Sequence, residues 1–140
     1  MKETDEISAI IVDEAYKLHI ALGPGLLEAV YEAILASQLV KRGLIVERQK
    51  AVSFEYDGSF FEEGFRVDLL VDSQVVVELK SVETLSPVHY KQVLTYLKLL
   101  HLPVGLLINF GAATMKEGLH RVVNNYKPST SSRLRVNQPK

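Results

Sequence analysis

Two acidic residues and a lysine, spaced along one predicted β-hairpin, are the side chains best placed to carry out chemistry. The hairpin consists of two apolar segments and the polar turn that joins them: residues 65–71, 75–80 and 72–74. If the loop has three residues centred on Ser73, Asp68 faces Glu78 across the antiparallel pair. Lys80 then shares their face. A two-residue loop would turn Glu78 to the opposite face, so this prediction depends on the register.

Two carboxylates that face each other on a half-buried sheet indicate a metal site. With Cβ atoms about 4.5–5.5 Å apart, the two charges should destabilise the fold and raise the pKa of one group. A hard divalent cation removes this repulsion, and Mg²⁺ accepts carboxylates together with waters and phosphate oxygens. The alternative is a solvated strand face on which Asp68 and Glu78 pair with Arg66 and Lys80. The hairpin by itself leaves both interpretations open.

Apolar periodicity and end signals predict the elements that position the hairpin. Helices are expected from Thr4 to Leu22, from about Leu26 to Arg42, and from the Ser86-Pro87 cap to about Leu100. Strands are expected over 44–46, 52–56 (before the Asp57-Gly58 turn), 65–71, 75–80 and 104–110, and 119–123 fits a strand or a helix. This order predicts one mixed α/β domain over residues 1–126 with a partly antiparallel sheet. The polar residues 127–140 are predicted to form a flexible tail.

Several motifs in the chain together resemble a known family. They are Gly25-Leu26-Leu27-Glu28-Ala29-Val30-Tyr31, Asp68, Glu78-Leu79-Lys80 and Gln92-Val93-Leu94-Thr95-Tyr96. The first matches the signature of the GxxExxY proteins, and the others resemble motifs of the PD-(D/E)xK nuclease superfamily to which those proteins are assigned. The resemblance extends from about Ile7 to Val123. It implies an α/β fold with a restriction-endonuclease-like core, in which a central mixed sheet is flanked by helices.

The resemblance also implies roles for individual residues. Asp68 and Glu78 would bind Mg²⁺ or Mn²⁺, with the Leu79 carbonyl as a further ligand and Glu28 as an acid that reaches the site from the first core helix. Lys80 would position the attacking water or stabilise the developing charge. Val67 stands where the superfamily name has proline, at a position that varies among its members.

Gln92 and Tyr96 match an element that steadies the lysine or contacts the nucleic acid backbone. They lie four residues apart on one helix face, where the simpler interpretation is a polar flank beside an apolar stripe. Glu28 likewise has a simpler explanation, since acids are favoured at helix N-termini. Tyr31 is expected to belong to the core.

Composition narrows the class of protein without deciding its partner. The 140 residues include no cysteine, which excludes disulfides and cysteine-ligated metals and fits a cytoplasmic location. The N-terminus lacks signal-peptide character, and no apolar run is long enough to span a membrane. The net charge of −1 favours neither presence nor absence of nucleic acid binding.

Two functions are consistent with these observations. The first is a metal-dependent nuclease that hydrolyses phosphodiesters in DNA or RNA, with Asp68, Glu78 and Lys80 as catalytic residues. The second is a non-catalytic module on the same fold that binds nucleic acid or another protein. The expected partner is nucleic acid rather than a membrane, and the oligomeric state stays open, with a homodimer included.

Overall fold

The structure is a computed structural model that describes residues 2–125 and the backbone of 134–136. Its elements are α1 (Thr4–Leu22), α2 (Glu28–Lys41), β1 (Val46–Tyr56), β2 (Ser59–Val71), β3 (Val75–Lys80), α3 (Pro87–Leu100), β4 (Val104–Asn109), α4 (Met115–Gly118), β5 (Leu119–Val123) and β6 (Leu134–Val136). The strands form one sheet in the order β5-β4-β3-β2-β1-β6. Among the described strands, β3 and β4 are the one parallel pair, and the other neighbours are antiparallel. The predicted α/β fold with a central mixed sheet flanked by helices is therefore confirmed.

Helices cover both faces of the sheet and bury two apolar clusters. On one face α1 and α2 pack against a cluster that includes Leu69 and Val77. On the other face α3 packs against Val67, Leu70 and Val76. Burial of these side chains from water is the main force that holds the helices on the sheet.

The hairpin register agrees with the three-residue loop. Val71 pairs with Val75 and Leu69 with Val77, while the loop residues Asp72 and Ser73 adopt positive φ angles. The regular alternation of faces, however, ends before Asp68. Val67 belongs to the α3-side cluster, whereas strict alternation would place it on the same face as Leu69.

The first hairpin and the C-terminal part differ from the sequence-based expectation. β1 and β2 are both longer than predicted. In β1, the mostly polar residues 47–51 carry no apolar pattern but pair with β2 apart from Gln49, and β2 begins at Ser59 rather than at Phe65. Residues 119–123 form a strand, and the short α4 was not predicted. The predicted tail, residues 127–140, lies outside the described residues except for β6, which pairs with β1. None of the described helices is long and apolar enough to cross a lipid bilayer.

Tyr31 stabilises the loop between α1 and α2. Its side chain is fully buried, as expected for a core residue. Its ring stacks on Phe110 with centroids 4.4 Å apart. Its hydroxyl donates to the Gly23 carbonyl at 2.5 Å and accepts from the Leu26 N–H at 3.2 Å. Gly25 in the same loop has φ +115°, a conformation that favours glycine. The glycine and the tyrosine of the GxxExxY pattern thus have structural roles in setting the start of α2.

Replacing Tyr31 by phenylalanine is expected to destabilise the fold by about 1–2 kcal/mol, because two backbone groups lose their hydrogen-bond partner while the ring packing is kept. Urea denaturation measures the free energy of unfolding. The matched change Tyr16→Phe, at a partly exposed position of α1, should have little effect. Equal stabilities of the two variants would refute the role of the hydroxyl.

Candidate active site

Strands β2 and β3 separate at Asp68 and Glu78, and the two carboxylates occupy the gap between them. The ladder ends at the Leu69–Val77 pair, so Asp68 and Glu78 do not form the direct cross-strand pair that the register predicts. Instead, Glu78 Oε2 accepts a hydrogen bond from the Asp68 N–H at 2.7 Å. Asp68 Oδ2 accepts one from the Leu79 N–H at 2.8 Å. Each carboxylate therefore replaces part of the missing backbone pairing and is held in the gap.

The burial of the two acids disagrees with the alternative interpretation, in which they belong to a solvated strand face. Glu78 is only 4% exposed and Asp68 is partly buried. Arg66 pairs with Glu63 and donates to the Gln49 carbonyl rather than binding Asp68. The two acids thus lie side by side, one buried and one partly buried, and Arg66, one of the two partners in the alternative interpretation, does not bind Asp68.

Burial and mutual repulsion make the ionised acids unfavourable in the metal-free protein. Burial, followed by the nearby charge of Asp68, raises the pKa of Glu78 to about 8. Burial also raises the pKa of Asp68, with backbone and Gln49 hydrogen bonds acting in the opposite direction. A ligand that displaces the protons from these two carboxyls must therefore carry positive charge.

The free energy of unfolding of the metal-free protein should fall by a few kcal/mol between about pH 5 and about pH 8 because of Glu78. In this interval the folded protein keeps a proton on Glu78 that the unfolded chain has lost, so rising pH favours unfolding. Denaturation curves across the interval test this slope. Glu78→Gln should flatten it, whereas the same change at the exposed Glu83 should not. A wild-type slope that survives in Glu78→Gln would contradict the assignment.

Lys80 and Tyr96 lie near the two acids. The Lys80 ammonium is close enough to lower the pKa of both carboxyls. Tyr96 of α3 stacks on Phe65 with ring centroids 4.5 Å apart. Burial and the charges of the two acids raise the pKa of the Tyr96 hydroxyl, and a hydrogen bond from Gln92 opposes the shift. The structure thus brings Lys80, Tyr96 and Gln92 to the same region as the acids.

Helix α2 directs two acids, one turn apart, toward the site. Glu28 is exposed at the first residue of the helix, and its charge raises the pKa of Glu78. Glu32, which the sequence analysis missed, is 7% exposed and acts in the same way on Asp68. Its position four residues after Glu28, on the same helix face, is the signal that could have identified it.

Within the described residues, no three acidic or histidine side chains stand close enough together to hold a metal ion. Glu28 is therefore near Glu78 but is not assembled with the two hairpin acids into a three-carboxylate cluster.

Comparison with known proteins decides the family. Residues 5–122 match the family model described as the PD-(D/E)XK nuclease superfamily. The chain belongs to the PD-(D/E)XK nuclease superfamily. No curated protein and no solved structure matches the chain. Membership in this superfamily agrees with the mixed sheet flanked by helices.

The donor atoms in the gap fit the divalent cation that the PD-(D/E)XK superfamily implies. Asp68 and Glu78 supply carboxylate oxygens, the ligands that Mg²⁺ and Mn²⁺ prefer. The Leu79 N–H points toward β2, and the carbonyl of a strand residue points to the same edge as its N–H. The Leu79 carbonyl therefore faces the gap as a third oxygen. An all-oxygen donor set whose carboxyls resist ionisation is suited to a hard cation.

Proposed function

We propose that this protein is a metal-dependent nuclease that hydrolyses phosphodiester bonds in DNA or RNA. The observation that carries the proposal is the pair of carboxylates, the buried Glu78 and the partly buried Asp68, held in the gap between β2 and β3 with Lys80 beside them. Superfamily membership supports the same chemistry. We further propose that the protein is a member of the GxxExxY proteins, because residues 25–31 match their signature. We also propose a cytoplasmic location, which the absence of cysteine fits.

Asp68, Glu78 and the Leu79 carbonyl would hold Mg²⁺ or Mn²⁺, and Glu28 would approach from the first turn of α2. When bound, the cation would supply a Lewis acid for the scissile phosphate and for a water molecule. The protein's own contribution is to fix these oxygens through the backbone hydrogen bonds of Asp68 and Leu79, so that they need no rearrangement during the reaction.

Lys80 would stabilise the negative charge that develops on the phosphate oxygens or orient the attacking water. The Lys80 ammonium lies near both carboxylates, a position that suits electrostatic stabilisation of a charged transition state. Tyr96 and Gln92 would contact the substrate backbone or steady Lys80. The exposed position of Gln92 leaves it accessible to a nucleic acid strand.

The second candidate is a non-catalytic module that binds nucleic acid or a protein through the same surface. It is favoured by the absence, within the described residues, of an assembled group of three metal-binding side chains. The two candidates predict different results with nucleic acid, because the module would bind a strand without cleaving it.

The test is a cleavage assay on single-stranded and double-stranded DNA, single-stranded RNA and hairpin RNA, with Mg²⁺ or Mn²⁺ and with a chelator. The proposal predicts cleavage of at least one substrate that requires the cation and is lost in Asp68→Asn. The matched control is Asp57→Asn, at the turn between β1 and β2, where asparagine tolerates the positive φ angle. Binding without cation-dependent cleavage of any substrate would favour the module.

A further inference from the structure

Gln49 of β1 has an unusual backbone conformation directly opposite Asp68. Its φ angle is +48°, in the left-handed region that non-glycine residues avoid. The neighbouring pairs Arg48–Leu69 and Lys50–Val67 are regular, but Gln49 itself is missing from the ladder. Such strained conformations persist only where the surroundings impose them, and they concentrate at functional sites.

The Gln49 side chain connects two acids that would otherwise repel each other. Its Nε2 atom donates to Glu32 Oε1 at 2.6 Å and to Asp68 Oδ1 at 3.1 Å. The Gln49 carbonyl in turn accepts from Arg66 Nη1 at 3.1 Å. Both the backbone and the amide of this residue are therefore engaged around Asp68.

Glu32 provides a fixed anchor for this connection. The residue is 7% exposed on α2, and its Oε2 atom is paired with Arg48 Nε at 3.1 Å. One carboxylate oxygen thus binds a guanidinium and the other binds the amide of Gln49. The chain of contacts runs from Arg48 through Glu32 and Gln49 to Asp68, and it joins α2, β1 and β2 at the candidate metal centre.

We propose that Gln49 is a positioning residue that holds the Asp68 carboxylate, through Oδ1, in the orientation required for metal binding. Gln49 Nε2 on β1 donates to Oδ1, and the Leu79 N–H on β3 donates to Oδ2. Two hydrogen bonds from different strands therefore fix the plane of the carboxylate. Partners of this kind around a ligand tune metal affinity without touching the metal. The inference rests on the proposed function of the site and adds the residue that orients its central acid.

The variant Gln49→Gly separates positioning from a purely structural role. Glycine adopts positive φ angles without strain, which offsets part of the stability lost with the amide contacts to Glu32 and Asp68, so the variant should still fold. Removal of the amide should nevertheless weaken Mn²⁺ binding about 10- to 100-fold, the usual effect of losing such a partner. We expect kcat to fall with little change in KM, because the substrate contacts stay in place.

Two further variants make the comparison specific. Ser73→Gly relieves a positive φ angle in the β2–β3 turn and should leave Mn²⁺ affinity unchanged. Gln49→Met keeps nearly the same side-chain length and the same net charge but cannot donate a hydrogen bond to Asp68, so it should weaken Mn²⁺ binding about as much as Gln49→Gly. This second variant decides the question if Gln49→Gly does not fold.

The experiment measures Mn²⁺ affinity by electron paramagnetic resonance of the free ion, together with cleavage kinetics and urea denaturation, on the full chain. Weaker Mn²⁺ binding in both Gln49 variants, measured where urea denaturation shows each variant to be folded, supports the proposal. Wild-type affinity in these variants overturns it. A wild-type protein that binds Mn²⁺ but cleaves nothing contradicts the proposed function, while the role of Gln49 is still read from the affinities. A wild-type protein that binds no Mn²⁺ overturns both.

Discussion

Replacing Lys80 by methionine is expected to lower kcat about 100- to 1,000-fold while Mn²⁺ affinity stays close to that of the wild type. The ammonium lies near both carboxylates but is not a candidate metal ligand, so its loss should affect the charged transition state more than the bound ion. Methionine keeps most of the apolar stem and removes only the charge. Single-turnover cleavage kinetics separate the chemical step from substrate binding.

The matched control for Lys80→Met is Lys116→Met, on the exposed surface of α4. It removes one positive charge from the protein and should leave kcat unchanged, which corrects for any general loss of electrostatic attraction to nucleic acid. An unchanged kcat in Lys80→Met would exclude the proposed role. A loss confined to KM would assign Lys80 to substrate binding alone.

Replacing Asp68 by asparagine is expected to abolish stabilisation by Mg²⁺ or Mn²⁺ without weakening the metal-free protein. Burial raises the pKa of Asp68, so a neutral side chain of the same shape removes an unfavourable charge next to Glu78. The metal-free protein should be as stable as the wild type or more stable by up to about 1 kcal/mol. A cation that binds only the folded state raises Tm only while its site exists.

Thermal melts of the wild type and of Asp68→Asn, with and without millimolar cation, measure both effects. The control Asp57→Asn should keep the wild-type response to the cation. A metal-free Asp68→Asn protein that is clearly less stable than the wild type would show that Asp68 takes part in a favourable ion pair. A wild-type Tm that neither Mg²⁺ nor Mn²⁺ changes would count against the metal site.

The hairpin that carries the acids could be predicted because short-range patterns determine it. The valine-rich strands on either side of Ser73 fix the register, and a one-residue slip would have turned every buried side chain to the wrong face. The Ser86-Pro87 signal likewise placed the start of α3 correctly. These features depend on neighbouring residues and are therefore visible in the sequence.

The gap at Asp68 could not be predicted, because it depends on contacts between distant segments. Strand alternation predicts a direct pair with Glu78, whereas the carboxylates bind backbone N–H groups of the opposite strand. The roles of Glu32 and Gln49 arise only when α2 and β1 are packed beside β2. Their spacing in the sequence, 17 residues apart, carries no periodic signal.

The most direct test of the metal site is a crystal structure of the protein soaked with Mn²⁺, with anomalous diffraction recorded near the manganese absorption edge. The account predicts an anomalous peak in the gap between β2 and β3, in contact with one carboxylate oxygen of Asp68, one of Glu78 and the Leu79 carbonyl. The same soak of Asp68→Asn crystals should show no peak there. Manganese bound elsewhere on the protein, or an empty gap in the wild type, would contradict the assignment of Asp68 and Glu78 as the metal centre.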